Sequence, residues 1–201
     1  FPDSQRRRSL IDPSTLLPEA VSTRLRRAYG FEEVALVPGA VTADPAEVEL
    51  ATTIAGQRLE IPFIAAAMDA VADPDFAVRM SRHGGLAFIN LEGLYTRYDD
   101  ASAIIERVAA AASGAEAASV LAEAYAAPVR AELIRSLIAR VKAQGGIAAV
   151  STTPASAWEH AEIAAEAGAD LLLVQSQVSS ARHISTSGRV LSLADLTGAL
   201  Q

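Results

Sequence analysis

Met68, Asp69, Ala70 and Val71 form a short turn between an apolar run and a helix start, where Met68 reads either as core filler or as a soft thioether on a ligand-lining loop. A second set of polar side chains, Gln175, Ser176 and Gln177, follows another apolar run, ADLLLV. If both runs are parallel strands, both sets lie on loops at strand carboxyl ends, which is where parallel α/β folds bind ligands. The remaining candidates carry less chemistry. His83, His160 and His183 show neither HxH nor HExxH spacing, so they offer no metal site. His83 suits the last turn of a helix, where a cation complements the macrodipole. His160, between Glu159 and Glu162, reads as part of a solvated face. Arg182 and His183 could meet an anion or simply face solvent, and Ser179-Ser180 has no base nearby for nucleophilic catalysis.

The elements that must hold these loops are legible. Ile61 to Ala67 is almost wholly apolar, as expected of a strand buried on both faces. Asp73 and Pro74 start a helix as N-cap and first residue. Phe76, Ala77, Met80 and Ser81 recur at helical spacing, and Gly84-Gly85 ends the helix. Leu86 to Ile89 is the next strand, which makes the unit βαβ. Upstream, Phe31 to Pro38 reads as a strand leading to a turn, and Val48–Ile54 with Leu59–Pro62 as a small hairpin. Downstream, residues 91–145 read as three helices: Ala101–Ala112, Ala115–Tyr125, and one built on Leu133, Leu137, Ile138 and Val141. Ile147–Ser151 is a third strand. A helix from Thr153-Pro154 follows, packing through Trp158, Ala161, Ile163 and Ala165. Asp170–Val174 is a fourth strand and Leu193–Leu200 a last helix. Strands alternating with helices predict a parallel α/β fold. Four βα units are half of a (β/α)₈ barrel, which takes about 250 residues.

The chain has 201 residues, 51% of them hydrophobic and 20% charged, with a mean hydropathy of +0.24, enough for one globular core. It has no cysteine, which excludes disulfides and thiolate metal sites. A net charge of −7 and a pI near 5.0 argue against nucleic-acid binding, and no apolar run is long enough for a membrane span. A cytoplasmic protein is the default expectation. Residues 1–30 form an arm with six arginines, three prolines and a short helix near Glu19–Arg27, and residues 31–201 form the partial barrel. The arm could meet phosphate or a neighbouring subunit. The first residue is phenylalanine and the last residues, LSLADLTGALQ, lie inside a helical pattern, so both ends are expected to be cut.

The stretch EIPFIAAAMDAVADPDFAVRMSRHGGLAFIN resembles the first βα unit of the IMP dehydrogenase/GMP reductase family, whose first strand ends in a Met-Asp-x-Val turn and whose second follows a GG-[LI] turn. FEEVALVP resembles the family's F-[DE]-[DE]-V-x-L-[VI]-P segment, matched at Phe31, Glu32, Glu33, Val34, Leu36, Val37 and Pro38. Asn90, Glu92, Gly93 and Leu94 match the N-x-E-G-L element of IMP dehydrogenase-like paralogues that lack CBS modules. A CBS pair would need about 120 residues, and the space here holds only helices.

The resemblance implies a TIM (β/α)₈ barrel oxidoreductase that moves hydride between NAD or NADP and C2 of a purine 5′-monophosphate (IMP, GMP or XMP). It also implies a homo-oligomer, a tetramer when complete. Ala66 and Met68, with Asp69, match substrate-binding positions. Asn90 stands where dehydrogenases carry a histidine. Gln175 replaces an aspartate at the cofactor-ribose position, and Ser176 keeps the following serine, with Gln177 beside it. The family's nucleophilic cysteine and late glycine-rich phosphate loops have no counterpart in this chain, so the fragment alone is expected to be inactive. Lack of CBS modules also fits the reductase direction. Two other readings stay open: a non-catalytic or degenerate half-barrel that binds partners, and an FMN-dependent barrel similar to nitronate monooxygenase, whose first unit reads P-[IL]-[IV]-x-A-x-M…GG-[LI]-G-F. Flavin colour in the complete protein would separate the latter.

Overall fold

The computed structural model describes residues 27–177, 180–184 and 190–200. The basic arm through Arg26, its proposed short helix and Ser179 lie outside them. The chain divides into two units, residues 1–48 and 49–201.

In the first unit the expected strand over FEEVALVP is absent. Phe31–Glu33 is a single 3₁₀ turn, and residues 34–38 join no sheet. The reason is local. The Glu33 backbone N–H donates to the Gly30 carbonyl at 3.0 Å, and the Glu33 carboxylate accepts the Gly30 N–H at 3.0 Å. These two bonds close a turn that a strand would have to open.

The second unit opens with a hairpin of β1 (Thr52–Ile54) and β2 (Gln57–Leu59). Ala55 and Gly56 both have positive φ, 47° and 83°, as a two-residue hairpin turn of matching twist requires. The main sheet follows, with β3 (Ile64–Ala65), β4 (Leu86–Asn90), β5 (Ala149–Thr152) and β6 (Leu171–Val174), all parallel and adjacent in chain order. The helices are α1 (Pro74–Arg82), α2 (Ser102–Ala109), α3 (Gly114–Tyr125), α4 (Ala131–Ala143), α5 (Ala157–Glu166) and α6 (Leu193–Ala199). Before α6, β7 (Arg182–His183) pairs antiparallel with β8 (Leu191–Ser192), a ribbon too short to leave a periodic signal in sequence.

Alternation along the strands builds two cores. Ala87, Ile89 and Val150 face α1 and α4, packing on Ala77, Val78, Ile134, Ile138 and Val141. Leu86, Phe88, Ala149 and Leu171 line the opposite face with Leu59 of the hairpin beneath them. α1 forms as its sequence dictates. The Asp73 carboxylate caps it by accepting the Phe76 N–H at 2.5 Å, and Gly84 leaves it at φ 79°. At the amino ends of the strands, Asp170 Oδ2 accepts the Ala148 N–H at 2.8 Å while Oδ1 takes Lys142 Nζ at 2.6 Å.

Three expectations need correction. β3 is shorter than the Ile61–Ala67 run and is not buried on both faces, with Ile64 47% exposed, and among the described residues it pairs only with β4. α5 starts at Ala157 rather than at Thr153-Pro154, since the Thr153 N–H and hydroxyl are already bonded to Glu92. Its packing face is Ala157, His160, Ala161 and Ala164, which leaves Ala165 exposed. None of the described helices is long and apolar enough to cross a membrane.

Candidate functional site

Parallel pairing puts the ends of β3, β4, β5 and β6 on one side of the sheet, so Met68 and Gln175 lie at the same end. The register aligns Asn90 with Ser151, and the two share a face. Gln175, just beyond β6, donates from Nε2 to Ser151 Oγ at 3.3 Å. Asn90 turns its Oδ1 back to accept the Glu92 N–H at 3.0 Å, an Asx turn that sets the path of the next loop. Ser151, fully buried, is a member of this row that sequence reasoning missed. Its position as the strand's penultimate residue, next to Asn90 in register, was the available signal. Ser176 and Gln177 follow on the exposed loop beside Gln175, and Ala66 is exposed after β3.

Met68 and Asp69 lie in different company. Met68 is 54% exposed and, with Asp69, Ala70, Leu94, Ile105, Val108, Leu121 and Tyr125, lines an almost wholly apolar cavity of about 250 Å³. The helices α2 and α3 thus form its far wall. Asp69 Oδ2 accepts the Leu94 N–H at 2.8 Å and the Tyr125 hydroxyl at 2.5 Å. A Cβ on Gly93 would stand 1.9 Å from Asp69 Oδ1, so only glycine lets the two loops meet this closely.

Glu92 is the second focus. Its Oε1 accepts the Thr153 N–H at 2.9 Å, the Thr153 hydroxyl at 2.8 Å and the Thr152 hydroxyl at 3.1 Å. Thr152 Oγ1 also lies 2.8 Å from His160 Nδ1. With the threonine donating to Glu92, its oxygen accepts from His160, which assigns the neutral ring its proton on Nδ1. His160 is therefore not on a solvated face. It is 5% exposed, held under the end of β5. Burial pushes the Glu92 carboxyl up, but the donors of Thr153 and Thr152 and the nearby imidazole outweigh it and hold the group below the usual carboxylate range. Burial, with some help from Arg97, pushes His160 below the ordinary imidazole value against the pull of Glu92 and Glu159.

Both shifts make acid destabilising. A histidine whose folded pKa is depressed contributes stability that is complete above its unfolded value, about 6.5, and is lost as pH falls below it. The depressed Glu92 adds stability lost at still lower pH, from about 4.5 downward. The melting temperature is expected to begin falling below about pH 6.5. A His160→Gln variant should be less stable overall but flat across that first stretch. A wild-type profile that is level from pH 7 to 5 would show that the buried imidazole is not coupled to folding.

Among the described residues no group of three or more His, Cys, Asp or Glu could hold a metal ion. Arg182 and His183 form β7, against Ser192 and Leu191.

Comparison with known proteins bears directly on this geometry. Residues 28–192 match the profile of the IMP dehydrogenase / GMP reductase domain. An uncharacterised oxidoreductase of Mycobacterium leprae is 35% identical over 172 residues, 84% of this chain and 46% of that protein. The inosine-5′-monophosphate dehydrogenase of Methanocaldococcus jannaschii is 40% identical over 65 residues, 32% of this chain and 13% of that protein. The crystal structure of an IMP dehydrogenase/GMP reductase-like protein from Corynebacterium glutamicum superposes with a TM-score of 0.78 at 33% identity, covering 91% of this chain and 49% of that one. The chain thus spans about half the length of the curated relatives that match it over most of its length. Its four parallel strands are the corresponding part of a TIM-barrel fold, and the chain belongs to the IMP dehydrogenase / GMP reductase family of oxidoreductases.

Proposed function

We propose that the protein of which this chain is part is a purine-nucleotide oxidoreductase, transferring hydride between a nicotinamide cofactor and C2 of a purine 5′-monophosphate. The observation that carries the reading is the row Asn90, Ser151, Gln175 at the strand carboxyl ends, with the Met68 turn at the same end. In that reading Ala66 and Met68 face the nucleotide, IMP, GMP or XMP, and Asp69, its carboxylate turned to Leu94 and Tyr125, supports their turn. Asn90, Gln175, Ser176 and Gln177 face the cofactor. When bound, NAD or NADP would supply the hydride chemistry. The residues present suit a ribose. One N–H of the Gln175 amide is used on Ser151, which leaves its neutral oxygen to accept from a ribose hydroxyl. An aspartate there would accept with a full negative charge, so this chain grips the ribose less firmly. The assembled enzyme is a homo-oligomer, a tetramer, working in the cytoplasm.

A second reading, a non-catalytic half-barrel that binds or assembles, is favoured by one observation: the 201 residues contain no cysteine to attack C2. One experiment separates the two. Protein made from the complete coding sequence should change nicotinamide absorbance at 340 nm with IMP or GMP, and residues 1–201 alone should not. Activity from residues 1–201 alone would disprove the need for a cysteine outside them, and inactivity of the complete protein with either nucleotide would favour the binding role.

A further inference from the structure

Three donors from the segment after β4 converge on one residue of the Met68 turn. Asp69 Oδ2 accepts the Leu94 N–H at 2.8 Å and the Tyr125 hydroxyl at 2.5 Å, and the Asp69 carbonyl accepts the Tyr95 hydroxyl at 3.4 Å. Leu94 and Tyr95 belong to the adjoining loop, so their bonds are near-local between neighbouring strand ends. Tyr125 is different. It is the last residue of α3, fifty-six positions from Asp69, and belongs to the α2–α3 hairpin placed between β4 and α4.

The phenol is itself held. The Arg97 guanidinium lies 5.4 Å from the Tyr125 ring centroid. Arg97 is fixed in turn by donating to the carbonyls of Glu92, at 3.0 and 3.2 Å, and of Ala127. Tyr125 remains 38% exposed, so it is not mainly a core residue. Its hydroxyl makes a charge-assisted bond to a carboxylate, among the stronger kinds a protein surface can form. Burial and the Asp69 carboxylate both push this phenol up, so it stays a donor across the physiological range.

We infer that Tyr125 is a positioning residue for the nucleotide site: from the α2–α3 hairpin it clamps Asp69 and thereby sets the Met68 turn. The inference rests on the reading that Met68 faces the nucleotide. Within the turn, the Val71 and Ala72 N–H groups both bond the Met68 carbonyl, at 2.8 and 2.9 Å, so a loosened Asp69 would loosen these bonds first.

Tyr125→Phe in the complete protein removes one hydroxyl and little else. In the unliganded protein, amide exchange at Val71 and Ala72 is expected to rise about fivefold, the size of one net hydrogen bond, while β4 and β5 stay unchanged. Tyr98→Phe removes the bond from the Tyr98 hydroxyl to the Ala124 carbonyl (2.9 Å), which anchors the same helix without touching Asp69, and should leave Val71 and Ala72 as in wild type. Unchanged exchange in Tyr125→Phe, or an equal rise in Tyr98→Phe, overturns the clamp whatever the protein binds. With IMP or GMP, Tyr125→Phe should raise Kd about fivefold, and the effect should fall below about twofold in a Met68→Ala background, as expected of coupled residues. Full additivity would overturn the assignment of Tyr125 as acting through Met68. Failure of the wild type to bind either nucleotide sinks the functional reading instead, and the exchange result still decides the clamp.

Discussion

Met68→Ala is expected to weaken binding of IMP or GMP to the complete protein about ten- to hundredfold and to leave the melting temperature of the unliganded protein almost unchanged. The two halves of this expectation come from one fact. Met68 is 54% exposed, so truncating it removes little surface that folding had buried. A bound purine would cover that side chain. A methionine is suited to a flat ring, being unbranched and polarisable, and its loss on burial is worth about 1.5–3 kcal/mol. A methionine serving only as filler for the cavity beside Leu94, Ile105 and Leu121 gives the reverse pattern: a clear fall in melting temperature and unaltered affinity. Titration calorimetry with each nucleotide, paired with thermal melts, distinguishes the two. Lack of binding by the wild type at millimolar nucleotide would end the purine reading.

Glu92→Ala should be the more damaging change to the fold. One carboxylate oxygen serves the Thr153 N–H and two threonine hydroxyls, with His160 behind Thr152. Removing it leaves those donors without their acceptor under the end of β5. A cost of about 2–4 kcal/mol is expected, or roughly 5–15 °C in a domain of this size. Glu92→Gln keeps an acceptor in place but not the charge, and should cost less than half as much. Denaturant melts of both variants measure the difference. A loss below about 0.5 kcal/mol for Glu92→Ala would mean that solvent replaces the carboxylate and that the network is incidental.

How much could be read beforehand depended on how local each cause was. The unit from β3 to β4 was legible because Asp73, Pro74 and Gly84 punctuate it and each acts within a turn of its own position. Phe31–Pro38 misled for the same reason turned round: its composition favours a strand, but Glu33 reaches back to Gly30 and closes a turn. The charged neighbours of His160, Glu159 and Glu162, point to a solvated face on which the structure does not place it. Helical spacing puts it in a stripe with Ala157, Ala161 and Ala164, and that stripe is the buried one. The site divided along similar lines. The strand-end positions of Met68, Asn90 and Gln175 follow from the βα pattern. The bonds from Glu92 to Thr153, sixty-one residues away, and from Tyr125 to Asp69 join segments that no short window contains. Glu92 and Gly93 stand out in the sequence only through their family resemblance, which attaches no role to them.

The order of the sheet has a kinetic meaning. β3, β4, β5 and β6 stand side by side in the order in which they are synthesised, so each strand docks on the one made just before it. Contacts close over one crossover at a time, the longest being the three-helix connection from β4 to β5, so the sheet can assemble vectorially without waiting for later segments. Among the described residues the outer edge of β6 pairs with no strand, and a strand arriving there, from the same chain or another, would extend a sheet already in register.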